Sequence, residues 1–224
     1  MKNTQVLSLK NLSKRFGSVV ANNSVNIELY RGEVLSLLGE NGAGKTTLMN
    51  MLFGHYLPDS GSIDVLGNDG QMRKLVLGHP QASLDAGIGM VHQHFTLAEN
   101  LTVLDNILLG SEKLWAWRHD RNKARNKILK IIDRTGLSAP LDEKVARLTV
   151  GERQRVEILK ALYHEVKILV LDEPTAVLTP QEADALFENI DSMTKDGLSV
   201  IFISHKLREV LKFSNRIAVL RHGE

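Results

Sequence analysis

A glycine-rich segment, Gly39-Glu-Asn-Gly-Ala-Gly-Lys45-Thr46, follows the apolar run Val34 to Leu38 and precedes a helical pattern over residues 45–56. A strand, a glycine loop and a helix in this order, with the spacing G-x-x-x-x-G-K-[ST], are typical of a phosphate-binding loop. Glycines let backbone N–H groups point at phosphate oxygens, and the helix adds the positive end of its dipole. We expect Lys45 to bridge the β- and γ-phosphates, the Thr46 hydroxyl to bind Mg²⁺ and Thr47 to reach the α-phosphate. The candidate nucleotide-binding residues of this phosphate loop are Gly39, Glu40, Asn41, Gly42, Ala43, Gly44, Lys45, Thr46 and Thr47.

Two carboxylates, Asp172 and Glu173, directly follow the apolar run Ile168 to Leu171. The carboxyl end of a strand in an open α/β sheet faces the crevice in which ligands bind, where the phosphate loop also lies. We expect Asp172 to hold Mg²⁺ through its water shell and Glu173 to polarise the water that attacks the γ-phosphate. Alone, the pair also fits two acidic residues that end a strand at the surface; the phosphate loop favours the functional interpretation.

A second glycine motif, Leu148-Thr-Val-Gly151-Glu152, opens a helical pattern that continues through Ala161. A helix N-terminus that carries the hydroxyl of Thr149 and the N–H of Gly151 suits a γ-phosphate. The same residues also fit a capping box, in which Thr149 and Glu152 only stabilise the start of a helix. Spacing alone leaves these two interpretations about equal.

Together, these motifs resemble those of the ATP-binding cassette (ABC) ATPases and occur in the order of that family. The residues Leu148, Thr149, Val150, Gly151 and Glu152, called here the signature segment, are similar to the Leu-Ser-Gly-Gly-Gln motif that completes the ATP site of a partner domain. Gln93 matches the Q-loop glutamine, and His205 matches the switch histidine near the γ-phosphate. Phe16 matches the aromatic residue that stacks on adenine.

The resemblance implies ATP and Mg²⁺ as cofactors and ATP hydrolysis as the activity. It implies as metal-binding residues Thr46, Gln93 and Asp172, and as catalytic residues Glu173, His205, Gln93 and Lys45. Taken alone, His205 fits a buried structural histidine better and Phe16 fits a core aromatic residue. Gln93 taken alone gives no signal.

Four positions depart from the usual pattern of the family. Thr149 replaces serine, Val150 replaces glycine, Glu152 replaces glutamine, and Thr179 stands where the D-loop carries aspartate. Thr149 keeps the hydroxyl, whereas a Cβ at Val150 limits how closely the backbone can approach a nucleotide, so we expect weaker ATP-driven closure with function retained. The segments around these positions resemble the first ATPase domain of bacterial importers for nucleosides and simple sugars, in which two such domains are fused. We therefore expect the chain to be a fragment of a longer tandem ATPase.

Composition excludes several other classes of protein. The 224 residues are 43% apolar and 24% charged, which is typical of a globular domain. The net charge of +2 favours neither a nucleic acid nor a membrane surface as the main partner. With no cysteine, disulfides and thiolate metal sites are excluded. No apolar run approaches the roughly 20 residues of a membrane span, and the first residues alternate like a strand, which predicts a cytoplasmic protein.

The elements that must position these residues are short strands and helices. Strands are predicted at Val6 to Leu12, Val25 to Leu29 and Val34 to Leu38, and buried parallel strands at Ile168 to Leu171, Val200 to Ile203 and Ile217 to Leu220. Helices are predicted over 45–56, 101–109, 121–135, 181–196 and 206–213. This order predicts an α/β fold: a P-loop NTPase core with a mostly parallel sheet, an antiparallel β subdomain at the N-terminus and an inserted α-helical subdomain.

The predicted helix over 121–135 is rich in lysine and arginine. Its apolar positions fall on one face, so we expect the basic residues to form a solvated outer face; nucleic-acid binding is the alternative. Trp115 and Trp117 are expected to be packing residues and not a base-stacking pair.

We expect residues 1–224 to form a single ABC ATPase domain, with the core at 1–94 and 166–224 and the helical subdomain at about 95–165. Its expected partners are transmembrane permease subunits, a second ATPase domain (fused or a second copy of this chain) and, indirectly, an extracellular substrate-binding protein, with no nucleic acid. The expected location is peripheral, on the cytoplasmic face of the plasma membrane. Two alternatives are a soluble ABC-type ATPase that acts on ribosomes and a phosphate-loop kinase, which would leave His205 and the signature segment without a role.

Overall fold

The computed structural model describes residues 4–93, 95–110 and 121–224, which form two sheets and the helices that pack on them. The strands are β1 (Gln5–Phe16), β2 (Val19–Tyr30), β3 (Val34–Leu38), β4 (Ser60–Leu66), β5 (Met72–Lys74), β6 (Ile88–Val91), β7 (Ile168–Asp172), β8 (Ser199–Ile203) and β9 (Arg216–Val219). The helices are α1 (Lys45–Phe53), α2 (Pro80–Asp85), α3 (Val103–Leu108), α4 (Arg121–Thr135), α5 (Val150–Tyr163), α6 (Pro180–Lys195) and α7 (Leu207–Phe213), with a 3₁₀ turn at Val145–Arg147.

The larger sheet is parallel and has the strand order β6-β7-β8-β3-β9. Ile203 at the end of β8 pairs with Asp172 of β7 on one side and Leu37 of β3 on the other. The carboxyl ends of these strands therefore meet at one edge, and this register brings the acidic pair beside the start of the phosphate loop. The smaller sheet is antiparallel and has the order β2-β1-β4-β5.

The parallel sheet separates two apolar clusters because successive side chains of a strand point to opposite faces. In β8, Val200 and Phe202 join the cluster formed with α3, α4, α5 and α6, whereas Ile201 and Ile203 join the cluster that contains α1 and the antiparallel sheet. The helix that follows the phosphate loop is thus held between the two sheets.

The predicted fold class is confirmed: a parallel P-loop core, an antiparallel N-terminal sheet and inserted helices between β6 and β7. The predicted apolar face of α4 is also confirmed, since its buried residues are Ala124, Ile128, Ile131 and Thr135. Trp115 and Trp117 lie outside the described residues. None of the helices in the described part of the chain has the length and apolar character needed to span a bilayer.

Three expectations about elements were wrong or incomplete. The strand predicted at Ile217 to Leu220 as buried is β9, an edge strand whose residues are mostly exposed, because an apolar run does not reveal which strand ends a sheet. The helix predicted to reach residue 56 ends at Phe53, where Gly54 adopts φ 84°. Elements β4, β5, β6 and α2 were not predicted, since their sequences hold few consecutive apolar residues.

Candidate functional site

The phosphate loop connects β3 to α1 and leaves the start of that helix without a side-chain cap. Gly42 (φ 82°) and Gly44 (φ 101°) occupy the left-handed region that favours glycine. Gly44 is the N-cap of α1 and has no side chain that could accept a hydrogen bond from the first N–H groups, and the first turn contains no acidic residue. The first N–H groups of the helix therefore have no carboxylate or hydroxyl partner of their own, which suits an anionic ligand.

Two neighbouring segments hold this loop in place. The buried Asn22 of β2 donates from Nδ2 to the Gly44 carbonyl at 3.3 Å. Gly223 donates its N–H to the Ala43 carbonyl at 3.1 Å, and its own carbonyl accepts from Asn23 N at 2.8 Å. The loop is therefore fixed against β2 and against the turn at residues 221–224, neither of which sequence reasoning had connected with it.

Lys45 is buried and points back into the loop. Its Nζ donates to the carbonyls of Gly39 at 2.7 Å and Glu40 at 2.9 Å. Burial and the charge of Glu173 raise the pKa of Asp172, while the nearby charge of Lys45 lowers it. The predicted lysine and the predicted metal-binding carboxylate are therefore electrostatic neighbours, as the strand register requires.

Glu173 is the centre of the assembled site. Its Oε1 lies 2.9 Å from His205 Nδ1, and its Oε2 accepts a hydrogen bond from Gln93 Nε2 at 3.2 Å. The side chain of Glu173 is 15% exposed, whereas that of His205 is 52% exposed. Two of the predicted catalytic residues, Gln93 and His205, thus contact a third, Glu173, next to the phosphate loop.

The residues predicted around Mg²⁺ lie at the same edge: Thr46 in the first turn of α1, Asp172 at the end of β7, and Gln93 on Glu173. Among residues 4–93, 95–110 and 121–224, no group of three or more histidine, aspartate or glutamate side chains could hold a metal by itself. Mg²⁺ usually takes one or two carboxylates and completes its shell with phosphate oxygens and water. The buried carboxyl of Asp172, with the charge of Glu173 beside it, fits this type of site.

Phe16 lies at the end of β1 and is 45% exposed. Its ring makes an edge contact with Tyr56 at 5.5 Å, and Lys14 Nζ lies 5.5 Å from the ring centroid. The neighbouring Val19 and Val20 are exposed as well. This exposed apolar surface suits a flat ring, and Tyr56 is a member that sequence reasoning missed, because no motif includes it.

A cavity of about 560 Å³ lies on one side of the phosphate loop, between residues 38–43 and residues 219–222. His205 also lines this cavity. The loop is therefore open to a ligand or to another chain on this side.

The signature segment lies at the start of α5, apart from this centre. Thr149 is the N-cap, and its side chain and that of Glu152 form both bonds of a capping box. Val150 is 42% exposed, whereas Leu148 and Gly151 are buried. Among the described residues, no hydrogen bond or ion pair joins residues 148–152 to the phosphate loop, the acidic pair, Gln93 or His205.

Thr179, the departure in the D-loop, caps α6. Its Oγ1 accepts from Glu182 N at 3.3 Å, and its N and Oγ1 both donate to Glu182 Oε2 at 2.9 Å. Threonine and aspartate are both good N-cap residues, so the replacement keeps the start of α6 intact.

Comparisons with known proteins agree with this geometry. A family model described as "ABC transporter" matches residues 22–176. The chain is 46% identical over 225 residues to the nucleoside import ATP-binding protein NupA of Lactococcus lactis subsp. cremoris, covering 100% of this chain and 43% of that protein. It is 44% identical over 246 residues to the glucose import ATP-binding protein TsgD13 of Haloferax volcanii, covering 97% of this chain and 44% of that protein.

The fold is similar to the solved ADP conformation of MJ1267, described as an ATP-binding cassette of an ABC transporter. The TM-score is 0.86 at 28% identity, and the match covers 98% of this chain and 88% of that chain. The chain spans less than half the length of the two import proteins that it resembles. The matched family model, the relatives and the fold together show that the chain belongs to the ABC transporter family, as one of its ATP-binding cassettes.

Proposed function

We propose that the chain binds MgATP and hydrolyses it to drive the import of nucleosides or simple sugars through a membrane permease. The observation that carries the enzymatic part is the position of Glu173, hydrogen-bonded to both Gln93 and His205 beside the phosphate loop. The relatives named for nucleoside and glucose import support the transport part.

The residues of the site act on ATP by positioning and by charge. Lys45 moves its amine from the loop carbonyls to the β- and γ-phosphates, and the first N–H groups of α1 bind phosphate oxygens. Thr46 and Asp172 would hold Mg²⁺, with Gln93 nearby, and the bound ion would offset phosphate charge. Phe16 and Tyr56 offer their exposed rings to adenine.

Glu173 acts as the general base. It takes a proton from water as the water oxygen bonds to the γ-phosphorus, and the bond from that phosphorus to the β–γ bridging oxygen breaks, leaving the electron pair on ADP. His205 and Gln93 hold the Glu173 carboxylate in place until the nucleotide and water arrive. His205 then faces the γ-phosphate.

The signature segment completes an ATP site on another ATPase domain. This part of the proposal is supported by its separation from the assembled centre and by the exposed position of Val150 at the start of α5. The relatives are more than twice as long as the matched region, which leaves room for a second, fused ATPase domain. A second copy of this chain is the other candidate partner.

We place the domain on the cytoplasmic face of the membrane, peripheral, with the helices between β6 and β7 in contact with permease subunits. We take residues 1–224 as one domain, with the core at 1–94 and 166–224 and the helical subdomain at about 95–165. An extracellular substrate-binding protein would act through the permease. ATP favours the closed pair, hydrolysis reopens it, and the helical subdomain passes this motion to the permease.

The general-base role is tested with Glu173→Gln. ATP binding should be retained and the hydrolysis rate should fall by about 100-fold or more, because a positioned base contributes roughly 10² to 10⁴ in rate. The matched control is Glu188→Gln at an exposed glutamate of α6, which should hydrolyse ATP at the parental rate. Parental activity in Glu173→Gln would contradict the assignment.

Pairing is tested by the solution mass of Glu173→Gln with and without MgATP. A nucleotide-dependent dimer supports a second copy as the partner, and a monomer that binds ATP supports a separate or fused domain. A monomer that binds no ATP contradicts the proposed function. Two further experiments distinguish import from action on ribosomes. In proteoliposomes that contain the permease, hydrolysis stimulated by a nucleoside or a sugar supports import. Sedimentation of the chain with ribosomes contradicts import.

A further inference from the structure

The start of α5 is pressed against a side chain of α6. Gly151 is buried in the first turn of α5, and a Cβ atom built on it would lie 2.5 Å from Glu182 Oε1 and 3.1 Å from Glu182 Cδ. The glutamate of α6 therefore occupies the space that any larger residue at position 151 would need.

Glu182 cannot easily turn away from Gly151. Its other oxygen, Oε2, accepts from both the N–H and the hydroxyl of Thr179 at 2.9 Å, as part of the capping box of α6. Hydrogen bonds from Thr179 and the charge of Arg155 lower the pKa of Glu182, so the carboxylate is charged at neutral pH. One oxygen caps α6 while the other faces the signature segment.

Arg155 adds a second connection at this point. Its Nη1 would lie 3.7 Å from the same Cβ, and its Nε donates to the Ser138 carbonyl at 2.9 Å. Its charge also helps to lower the pKa of Glu152, after the hydrogen bonds from Thr149. A cavity of about 170 Å³ between α5 and α6 is lined by Gly151, Arg155 and Glu182, so the helices are not closely packed there. Because the cavity leaves few other contacts between α5 and α6 at this point, the contact of Glu182 with Gly151 has a large part in setting their relative position.

We propose that Glu182 is a positioning residue that fixes the signature segment relative to the D-loop, residues 174–179, through its contact with Gly151. The inference rests on the proposed function, because it assigns the two segments a joint movement during ATP-driven pairing. Glycine at position 151 is then required by a contact within the domain, in addition to any approach to a nucleotide.

The test compares Gly151→Ala, Glu182→Asp and the double variant in the Glu173→Gln background, in the assembly in which pairing is observed. Gly151→Ala pushes Glu182 out of the cap and should weaken MgATP-dependent pairing about fivefold, the factor that matches loss of one helix cap. The double variant should recover most of this loss, because aspartate is one methylene shorter and leaves room for the added methyl group. ATP affinity of the unpaired chain should not change in any variant, because the phosphate loop is untouched.

Glu188→Asp is the matched control: it shortens an exposed glutamate of the same helix, α6, by one methylene away from Gly151, and pairing should not change. If Glu182→Asp fails to restore pairing to Gly151→Ala, Gly151 acts only on the nucleotide and the inference is wrong. If the parent binds no MgATP and shows no MgATP-dependent pairing, the proposed function is wrong. The contact between Glu182 and Gly151 is then tested separately by thermal unfolding. The double variant should melt about 2–4 °C above Gly151→Ala, a comparison in which the higher helix propensity of alanine cancels; no such difference would overturn the contact.

Discussion

At the scale of single residues, Glu173 has an unusual backbone conformation and makes three hydrogen bonds or ion pairs with distant residues. Its φ of 48° lies in the left-handed region, which a non-glycine residue enters at a cost of about 1–3 kcal/mol. Its N–H bonds the Ile203 carbonyl at 3.0 Å, and its side chain contacts His205 and Gln93. Strain of this kind persists where the surroundings hold a residue for its chemistry, which agrees with the proposed role as base.

Asp172 allows a prediction about pH. Burial and the charge of Glu173 raise its pKa, so the folded chain binds this proton more tightly than the unfolded chain does. The stability that the neutral form contributes is present at low pH and is lost as pH rises through the folded pKa. In metal-free buffer at pH 8, Asp172→Asn should therefore melt above the parent, because the amide avoids the cost of the buried charge.

The same variant should lose MgATP hydrolysis, because the amide cannot replace the carboxylate toward Mg²⁺. As the pH is lowered the gain in melting temperature should shrink, since a growing fraction of the parental carboxyl is then protonated. The control is Asp133→Asn at an exposed aspartate of α4, which should show neither effect. A lower melting temperature of Asp172→Asn at pH 8 would contradict the argument.

At the scale of elements, the phosphate loop depends on its contact with β2. A Cβ at Gly44 would overlap the Ala21 carbonyl oxygen, whereas a Cβ at Gly42 would have no heavy atom within 4 Å. Both glycines have positive φ, so an alanine at either position would have a strained backbone. The two positions differ only in the space that is available for its Cβ.

Gly44→Ala should therefore abolish ATP binding, because the loop must move away from β2 to make room. Gly42→Ala should pay only the strain of a left-handed alanine, about 1–2 kcal/mol, or roughly a five- to thirtyfold weaker affinity. Calorimetric titration with ATP distinguishes the two. Equal affinities would mean that the packing of the loop on β2 does not matter.

At the scale of the whole molecule, the domain holds a phosphate loop and a signature segment that do not contact each other. Under the proposed function each ATP site needs two domains, and closure would depend on how closely the signature segment approaches the nucleotide of its partner. Val150 stands where the family usually carries glycine, and its side chain is exposed at the first position of α5.

Val150→Gly should strengthen MgATP-dependent pairing in the Glu173→Gln background, because removal of the side chain lets the backbone approach more closely. The same change should lower the melting temperature by about 2–4 °C or less, since glycine costs up to about 1 kcal/mol in a helix. Light scattering and thermal unfolding measure the two effects. Weaker pairing would mean that Val150 contributes a favourable contact of its own.

The sequence alone determined the features that depend on local order. The phosphate loop, the strand that ends in Asp172, the buried face of α4 and the capping box at Thr149 follow from spacing within one segment, because helix and strand periodicity and capping act over a few residues. The fold class follows from the alternation of these elements.

Only the tertiary structure decided which distant residues meet. Gln93 and His205 are 80 and 32 positions from Glu173, and strand order and register bring them to the same carboxylate. The edge position of β9 and the contact of Glu182 with Gly151 likewise depend on packing between elements. No regular spacing of residues in the sequence marks such contacts, since they depend on how whole strands and helices pack on one another.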